Sequence, residues 1–353
     1  MAETVAVRHE DAFDVQAVAE WLAEHADERL RGDVAGVPEV RQFTGGASNL
    51  TFLLRYPGRD LILRRAPHGT KARGAHDMGR EHLIQRRLAS VFPYVAPMVG
   101  HCTDETVLGA EFYVMERVDG VVPRADLPPG TLTPDQARRL CDDFVDVLVR
   151  LHSVDPAAAG LEGLGKGQGY VRRQVEGWSA RYRNAWTDDA PGFEEVMRWL
   201  DEHQPDDVRT CVIHNDFKLD NVVLDPADPT KVVAVLDWEM ATLGDPLMDL
   251  GGALAFWVEA GDTDMEPYRR VPTHLPGMLT RAEVVERYCE RAGLPLTDDQ
   301  WRFYEVFGVF RLAVIAQQIY YRWFHGQTSN EIYSLFGPVV HVAERRARRL
   351  LGS

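Results

Sequence analysis

In 212-VIHNDFKLDNVVLDP-226, six polar residues (His214, Asn215, Asp216, Lys218, Asp220 and Asn221) stand between two apolar, strand-like runs. A loop held at both ends by ordered segments exposes its polar groups at one edge, where chemistry is usually done. The residue types say which chemistry. Asp216 offers a carboxylate that can take the proton of an attacking hydroxyl, and Lys218 offers positive charge beside a transferring phosphoryl group. Asn221 offers a hard oxygen of the kind Mg²⁺ accepts. Taken alone, the loop also fits a polar surface turn. Further along, the apolar run 232-VVAVL-236 delivers Asp237, followed by Trp238 and Glu239. A strand end can aim a carboxylate into a cleft, and a hairpin through the turn DPADPT would return Asp237 beside Asn221. Two oxygen ligands for one Mg²⁺ beside a base for a hydroxyl are groups that phosphoryl transfer from ATP can use.

The upstream sequence offers the groups that such a reaction still needs. In 43-FTGGASNLTF-52, the turn at Gly45 and Gly46 lets backbone N–H groups approach phosphates, with Ser48 as a further donor. The same turn is compatible with a plain β-hairpin. In 61-LILR-64, two-residue alternation puts Ile62 and Arg64 on one face, so Ile62 can cover an adenine while Arg64 reaches its phosphates. Arg65 is the competing choice. In the helical pattern 76-HDMGREHLIQRRL-88, Met78, Glu81, Ile84 or Gln85, and Leu88 share one face. A carboxylate on that apolar face needs a partner, and Arg64 is the natural one. The strand 113-YVMERVDG-120 offers the Glu116 carbonyl and the Val118 N–H to an adenine edge.

The elements that must position these groups are legible in outline. A helix is expected at 11–31, then strands at Val40–Phe43, Leu50–Tyr56, Leu61–Arg65 and Glu111–Val118, with a helix at about 76–90 between them. After the Pro/Gly-rich stretch 119-DGVVPRADLPPG-130 the pattern turns helical, with helices at 134–152, 170–188, 192–203, 246–258, 281–291 and 299–323. Within it lies one hairpin, Val222–Leu224 with Val232–Leu236. The expected fold is α+β: a small β-rich lobe over 1–118 that handles nucleotide, and a larger helical lobe over 119–353 that carries the catalytic loop and the acceptor pocket. Composition agrees with this reading. The 353 residues are 45% hydrophobic and 26% charged, with 39 basic against 54 acidic residues and a net charge of −15. That acidity argues against nucleic-acid binding and suits a small-molecule enzyme. Cys102, Cys141, Cys211 and Cys289 are scattered, as reduced thiols are. The first residues lack a signal-peptide pattern, and the longest membrane-like run, Leu250 to Val258, is too short to span. A soluble cytoplasmic protein is expected.

These motifs resemble the protein-kinase-like fold. Asp216, Lys218 and Asn221 follow the spacing of the H-R-D-x-K-x-x-N catalytic loop, with Asn215 in place of its Arg, and Asp237 matches the metal-binding Asp of D-F-G. Arg64 stands where the strand lysine stands, and Glu81 where its helix partner does. After Asp237 there is no long activation loop and no A-P-E element. With 151-LHSVD-155 and 236-LDWEMATLGDPLMDLG-251, the resemblance narrows to the aminoglycoside phosphotransferase-like small-molecule kinases. It implies that Asp249 hydrogen-bonds the catalytic loop and that Asp245 caps a helix. The runs 45-GGASNLTFLL-54, 61-LILRRAPHG-69, 75-AHDMGREH-82, 111-EFYVMERVDG-120, 165-GKGQGYVRRQVEGW-178 and 307-FGVFRLAVIAQQIYYR-322 look like the kinase domains associated with acyl-CoA dehydrogenases. That resemblance implies phosphorylation of a hydroxyacyl substrate such as a 4-hydroxyacyl-CoA or of a hydroxy acid. An aminoglycoside is the alternative acceptor, for which the acidic run 259-EAGDTDME-266 would serve; an acyl-CoA would call on 170-YVRRQVEGW-178 and 320-YYRW-323 instead. A nucleotide-binding pseudokinase acting through a partner is the third reading.

Overall fold

Between 39 and 65, short runs of β-forming residues are separated by Gly and Pro turn signals, and the chain folds there into strands. A computed structural model describes residues 4–44, 49–67, 77–127 and 130–352. Its first part contains β1 (Thr4–Val5), α1 (Val15–His25), α2 (Glu28–Arg31), β2 (Glu39–Phe43), β3 (Leu50–Arg55), β4 (Asp60–Arg65), α3 (Met78–Leu88), β5 (Met98–Cys102) and β6 (Phe112–Glu116). The strands make a six-stranded antiparallel sheet in the order β1-β2-β3-β4-β6-β5. One face buries Phe52, Leu54, Leu61, Leu63, Phe112 and Val114 with Val18 and Leu22 of α1 and Leu30 of α2. The opposite face buries Leu53, Ile62, Tyr113 and Met115 with Met78 of α3.

The leading helix differs from its expected extent. Asp14 caps α1 by accepting from the N–H groups of Gln16 and Ala17, and the helix stops at Ala26, whose backbone is extended. Asp27 is extended too, so α2 starts afresh. Ala26 is 3% exposed in the core beneath the sheet. Packing, with no proline or glycine to announce it, ends the helix there.

On α3, His82 stacks against His101 of β5, with ring centroids 4.9 Å apart. Burial, with His101 and Arg86 nearby, pushes its pKa down to about 4. The unfolded chain takes up that proton near pH ~6.5. Stability contributed by neutral His82 is therefore present above that value and is lost as pH falls toward 4. The melting temperature of His82→Gln is expected to drop less than that of the wild type between about pH 7 and about pH 5. Parallel curves would show that another group sets the acid sensitivity.

The later part contains α4 (Pro134–His152), α5 (Tyr170–Asn184), α6 (Glu194–Glu202), β7 (Cys211–Ile213), β8 (Val222–Leu224), β9 (Val232–Val235), β10 (Thr242–Gly244), α7 (Pro246–Leu254), α8 (Arg281–Ala292), α9 (Asp298–Phe324) and α10 (Phe336–Leu351). β8 pairs with β9, and β10 pairs with β7. Capping boxes start α4, α8 and α9 at Thr133, Thr280 and Thr297. The α+β architecture expected from the sequence is the one found. α10 and the β7–β10 pair were not foreseen, and α5 and α7 end earlier than their patterns suggested.

The chain divides into two compact units. The first comprises Met1–Val122 with Val223–Pro226 and Val233–Glu239, and the second comprises Pro123–Val222, Ala227–Val232 and Met240–Ser353. Asp237 thus counts with the sheet, and the loop from His214 to Asn221 with the helices. In the second unit α9 is the central helix, and it crosses α7 at glycines. A Cβ on Gly308 would fall inside contact distance of the Gly251 carbonyl, and one on Gly251 would meet the Tyr304 carbonyl. Gly308→Ala must push the helices apart, at a cost of roughly 1–3 kcal/mol or more. A urea titration should show this loss; an unchanged midpoint would mean that the crossing is looser than described. All four cysteines are free thiols. No helix among the described residues is long and apolar enough to cross a membrane.

Candidate active site

Alternation along β4 sends Ile62 and Arg64 to the α3 face of the sheet and Arg65 to the other. Arg64 lies opposite Tyr113, and Ile62 opposite Met115. The choice between the two arginines is settled by what each touches. Arg65 is fully buried among Phe13 and Phe52 and donates to the Asp11 carbonyl at 2.8 Å. Arg64 spans two carboxylates, with Nη1 3.1 Å from Glu81 Oε1 and Nη2 3.0 Å from Asp237 Oδ1. Glu81 is 1% exposed and also accepts from the Tyr113 hydroxyl at 2.8 Å. Burial pushes its carboxyl above the ordinary range, and Arg64 and the Tyr113 hydroxyl oppose that push. Burial disfavours the charge on Arg64, but its anionic neighbours outweigh this and hold it protonated.

Asp237 has a left-handed backbone, φ +66°. One of its oxygens is bound by Arg64; the other takes no hydrogen bond among the described residues and is open to a ligand. Next to it, Trp238 is buried against Phe92 and donates to the Val235 carbonyl, which anchors the turn. Glu239 accepts from Asn49 at 2.9 Å, and its carbonyl accepts from Arg80. Val118 packs on the same apolar cluster as Ile62. The Val118 N–H has no hydrogen-bond partner among the described residues. The Glu116 side chain is tied to Arg29 and Arg59. Gly45, Gly46 and Ser48 lie outside the described residues.

In the second unit the loop after β7 is wired to its surroundings. Asp249 of α7 accepts from the N–H groups of His214 and Asn215, both at 2.7 Å. It also bonds His152, which in turn contacts the Tyr288 hydroxyl. Burial would raise the Asp249 carboxyl, yet these hydrogen bonds hold it below the ordinary range. Asp245 caps α7 through the N–H groups of Leu247 and Met248. Asp216 is the centre of the loop. Its Oδ2 accepts from Lys218 Nζ and from Asn221 Nδ2, each at 2.8 Å. Oδ1 takes no hydrogen bond among the described residues, so one oxygen is fixed and the other is open to a substrate proton. Asn221 also donates to the Asp216 carbonyl. Its Nδ2 is thereby engaged, and its Oδ1 is left as a possible metal ligand. Lys218 sits 5.0 Å from the Phe256 ring centroid.

The structure therefore brings Arg64, Glu81 and Asp237 together in one unit, and Asp216, Lys218 and Asn221 together in the other. Three participants escaped the sequence reading. Tyr113 was read only for its strand, although its place opposite Arg64 follows from strand pairing. Tyr170 and Arg311 touch Asn215, and nothing local marks them. The segment 170–178 is largely interior, with Tyr170, Val171, Val175 and Trp178 buried.

The sequence signature described as the phosphotransferase enzyme family matches residues 39–304. The mouse acyl-CoA dehydrogenase family member 10 is 37% identical over 296 residues, which are 84% of this chain and 27% of that protein. The rat acyl-CoA dehydrogenase family member 11 is 34% identical over 331 residues, 93% of this chain and 42% of that protein. The chain thus spans less than half the length of these curated relatives. A Ralstonia eutropha structure, assigned provisionally as an aminoglycoside phosphotransferase, superposes with a TM-score of 0.79. It is 32% identical and covers 96% of this chain and 99% of its own.

Proposed function

The chain belongs to the phosphotransferase enzyme family, and on that premise we propose that it phosphorylates a hydroxyl group of a small molecule with ATP and Mg²⁺. The observation that carries this reading is the wiring of Asp216, one oxygen held by Lys218 and Asn221 and the other open. Asp216 orients the acceptor hydroxyl and takes its proton. The hydroxyl oxygen bonds to the γ-phosphorus, the bond to the bridging oxygen breaks, and ADP leaves. Lys218 and Arg64 would set positive charge against the phosphates, with Gly45, Gly46 and Ser48 as further candidate donors. Ile62 covers the adenine, and the Glu116 carbonyl and Val118 N–H meet its edge. Asn221 and Asp237 would be the residues that hold Mg²⁺, an ion that takes few protein ligands. Mg²⁺ held by them would supply charge neutralisation to the nucleotide phosphates. Glu81 keeps Arg64 in place. In this reading 1–118 handles nucleotide and 119–353 the acceptor, and the protein works in the cytoplasm.

For the acceptor we propose a hydroxyacyl-CoA or hydroxy acid. The names of the relatives support acyl thioester chemistry. The acidic run that a polycationic aminoglycoside would call upon is otherwise engaged: Glu259 and Asp262 pair with Arg281, and Asp264 pairs with Arg349. On α5, Arg172 is exposed and pairs with Glu176, and the half-buried Arg173 donates to the Gly167 and Gln168 carbonyls. The test is ADP release by purified protein with Mg-ATP and a panel of 3- and 4-hydroxyacyl-CoAs against aminoglycosides. Turnover with a hydroxyacyl-CoA is expected. Activity on the antibiotics alone would overturn the acceptor, and turnover on none would favour a nucleotide-binding partner protein.

A further inference from the structure

The residue before Asp216 is held from every side. Asn215 has φ +65°, a left-handed conformation that non-glycine residues rarely adopt, although asparagine adopts it more readily than most. Its N–H donates to Asp249 Oδ1 at 2.7 Å, and its Oδ1 accepts from the Tyr170 hydroxyl at 3.0 Å. Its Nδ2 donates to the Met240 carbonyl at 3.0 Å, and its own carbonyl accepts from Arg311 Nη2 at 2.5 Å.

The last contact stands out energetically. Arg311 is 5% exposed and forms no ion pair with a carboxylate among the described residues. Its charge is met by one carbonyl, by the weakly accepting Met240 sulfur at 3.9 Å and by the Trp178 ring, 5.3 Å away. A buried guanidinium so thinly compensated is costly, and an apolar side chain would fill the place at less expense. The chain nevertheless makes room for it. The Gly251–Gly308 crossing brings α9 close to α7, and Arg311 follows one helical turn later. A Cβ on Gly252 would lie 2.8 Å from Arg311 Nη1.

The carbonyl of Asn215 and the N–H of Asp216 belong to one peptide group. That N–H donates to His214 Nδ1 at 3.2 Å. Arg311 at one end and His214 at the other thus fix the plane of the peptide from which Asp216 projects. We propose that Arg311 is a positioning residue for phosphoryl transfer: it pins the 215–216 peptide so that Asp216 faces the acceptor hydroxyl. This rests on the phosphotransferase reading above, but its structural half can be tested separately.

The test compares wild type, Arg311→Met and Arg311→Lys with Mg-ATP and a 4-hydroxyacyl-CoA, alongside crystal structures of the variants. Misplacement of a catalytic group by about 1 Å costs roughly 100-fold. Arg311→Met is therefore expected to lower kcat by about 10- to 100-fold with KM for ATP nearly unchanged, and its 215–216 peptide is expected to be rotated. Arg311→Lys, which keeps a donor and a charge but not the planar fork, should recover part of the loss. It also serves if the methionine variant fails to fold. An unmoved peptide, a native kcat, or a loss confined to KM for ATP would overturn the proposal. If the wild type forms no ADP, the phosphotransfer reading fails on its own. The crystal structures then decide, a rotated peptide upholding the pin and an unmoved one removing it.

Discussion

Asp216→Asn is expected to lower turnover by roughly 10²- to 10⁴-fold while ATP still binds. The substitution is nearly isosteric, and the geometry says which half of the side chain matters. An asparagine can keep its oxygen toward Lys218 and Asn221, the donors that now hold Oδ2. Its amide nitrogen then occupies the place of Oδ1 and presents hydrogens where a proton must be accepted. The loop stays folded through Asp249, and the arginine–carboxylate cluster of the sheet is untouched. Nucleotide affinity should therefore be near native by titration calorimetry, and single-turnover transfer should be slow. A variant with near-native rate would remove Asp216 from the role of base.

Arg64→Met is expected to damage both stability and activity, and the two losses can be separated. Glu81 is 1% exposed, and Arg64 is its only ion-pair partner among the described residues. Stripping one partner from a buried pair costs roughly 3–5 kcal/mol, because the other charge is left stranded. Without Arg64, the burial that already raises the Glu81 carboxyl is less opposed. A folded-state pKa above the unfolded one gives stability that is present at low pH and lost as pH rises through the folded value. The variant should accordingly lose more stability relative to wild type at about pH 8 than at about pH 5. Arg64→Met/Glu81→Leu should regain most of the stability, since an apolar pair can replace a buried ionic one. It should regain no turnover, because the cation proposed to meet the phosphates is still missing. Recovery of activity in the double variant would show that Arg64 serves the fold alone.

What was legible in the sequence follows the range of the interactions. His214, Asp216, Lys218 and Asn221 lie in one short loop, so their resemblance to a kinase catalytic loop is visible in the spacing once Asp237 is read with them. Arg64 and Glu81 are found from the periods of a strand and a helix; burial of the carboxylate calls for a partner, and the resemblance to the kinase strand–helix ion pair points to Arg64. Two-residue alternation separates Arg64 from Arg65 only once the faces of the sheet are known. The contacts of Asn215 join residues as far apart as 215 and 311. In 307-FGVFRLAV-314 the arginine looks like any polar break in an apolar helix, so its function is invisible there. α10 was overlooked because its buried Val339, Val340, Val342, Ala343 and Ala347 are interleaved with arginines. The stop at Ala26 has no proline or glycine to mark it.

In the proposed reaction a phosphoryl group passes from ATP to a hydroxyl at Asp216. The most direct measurement is to supply γ-labelled ATP, Mg²⁺ and a 4-hydroxyacyl-CoA, and to locate the label by mass spectrometry in wild type and in Asp216→Asn. Label on the 4-oxygen of the acyl chain with wild type, and almost none with the variant, is the result expected. Label that stays on ATP, or that reaches the acyl chain equally with the variant, would contradict it.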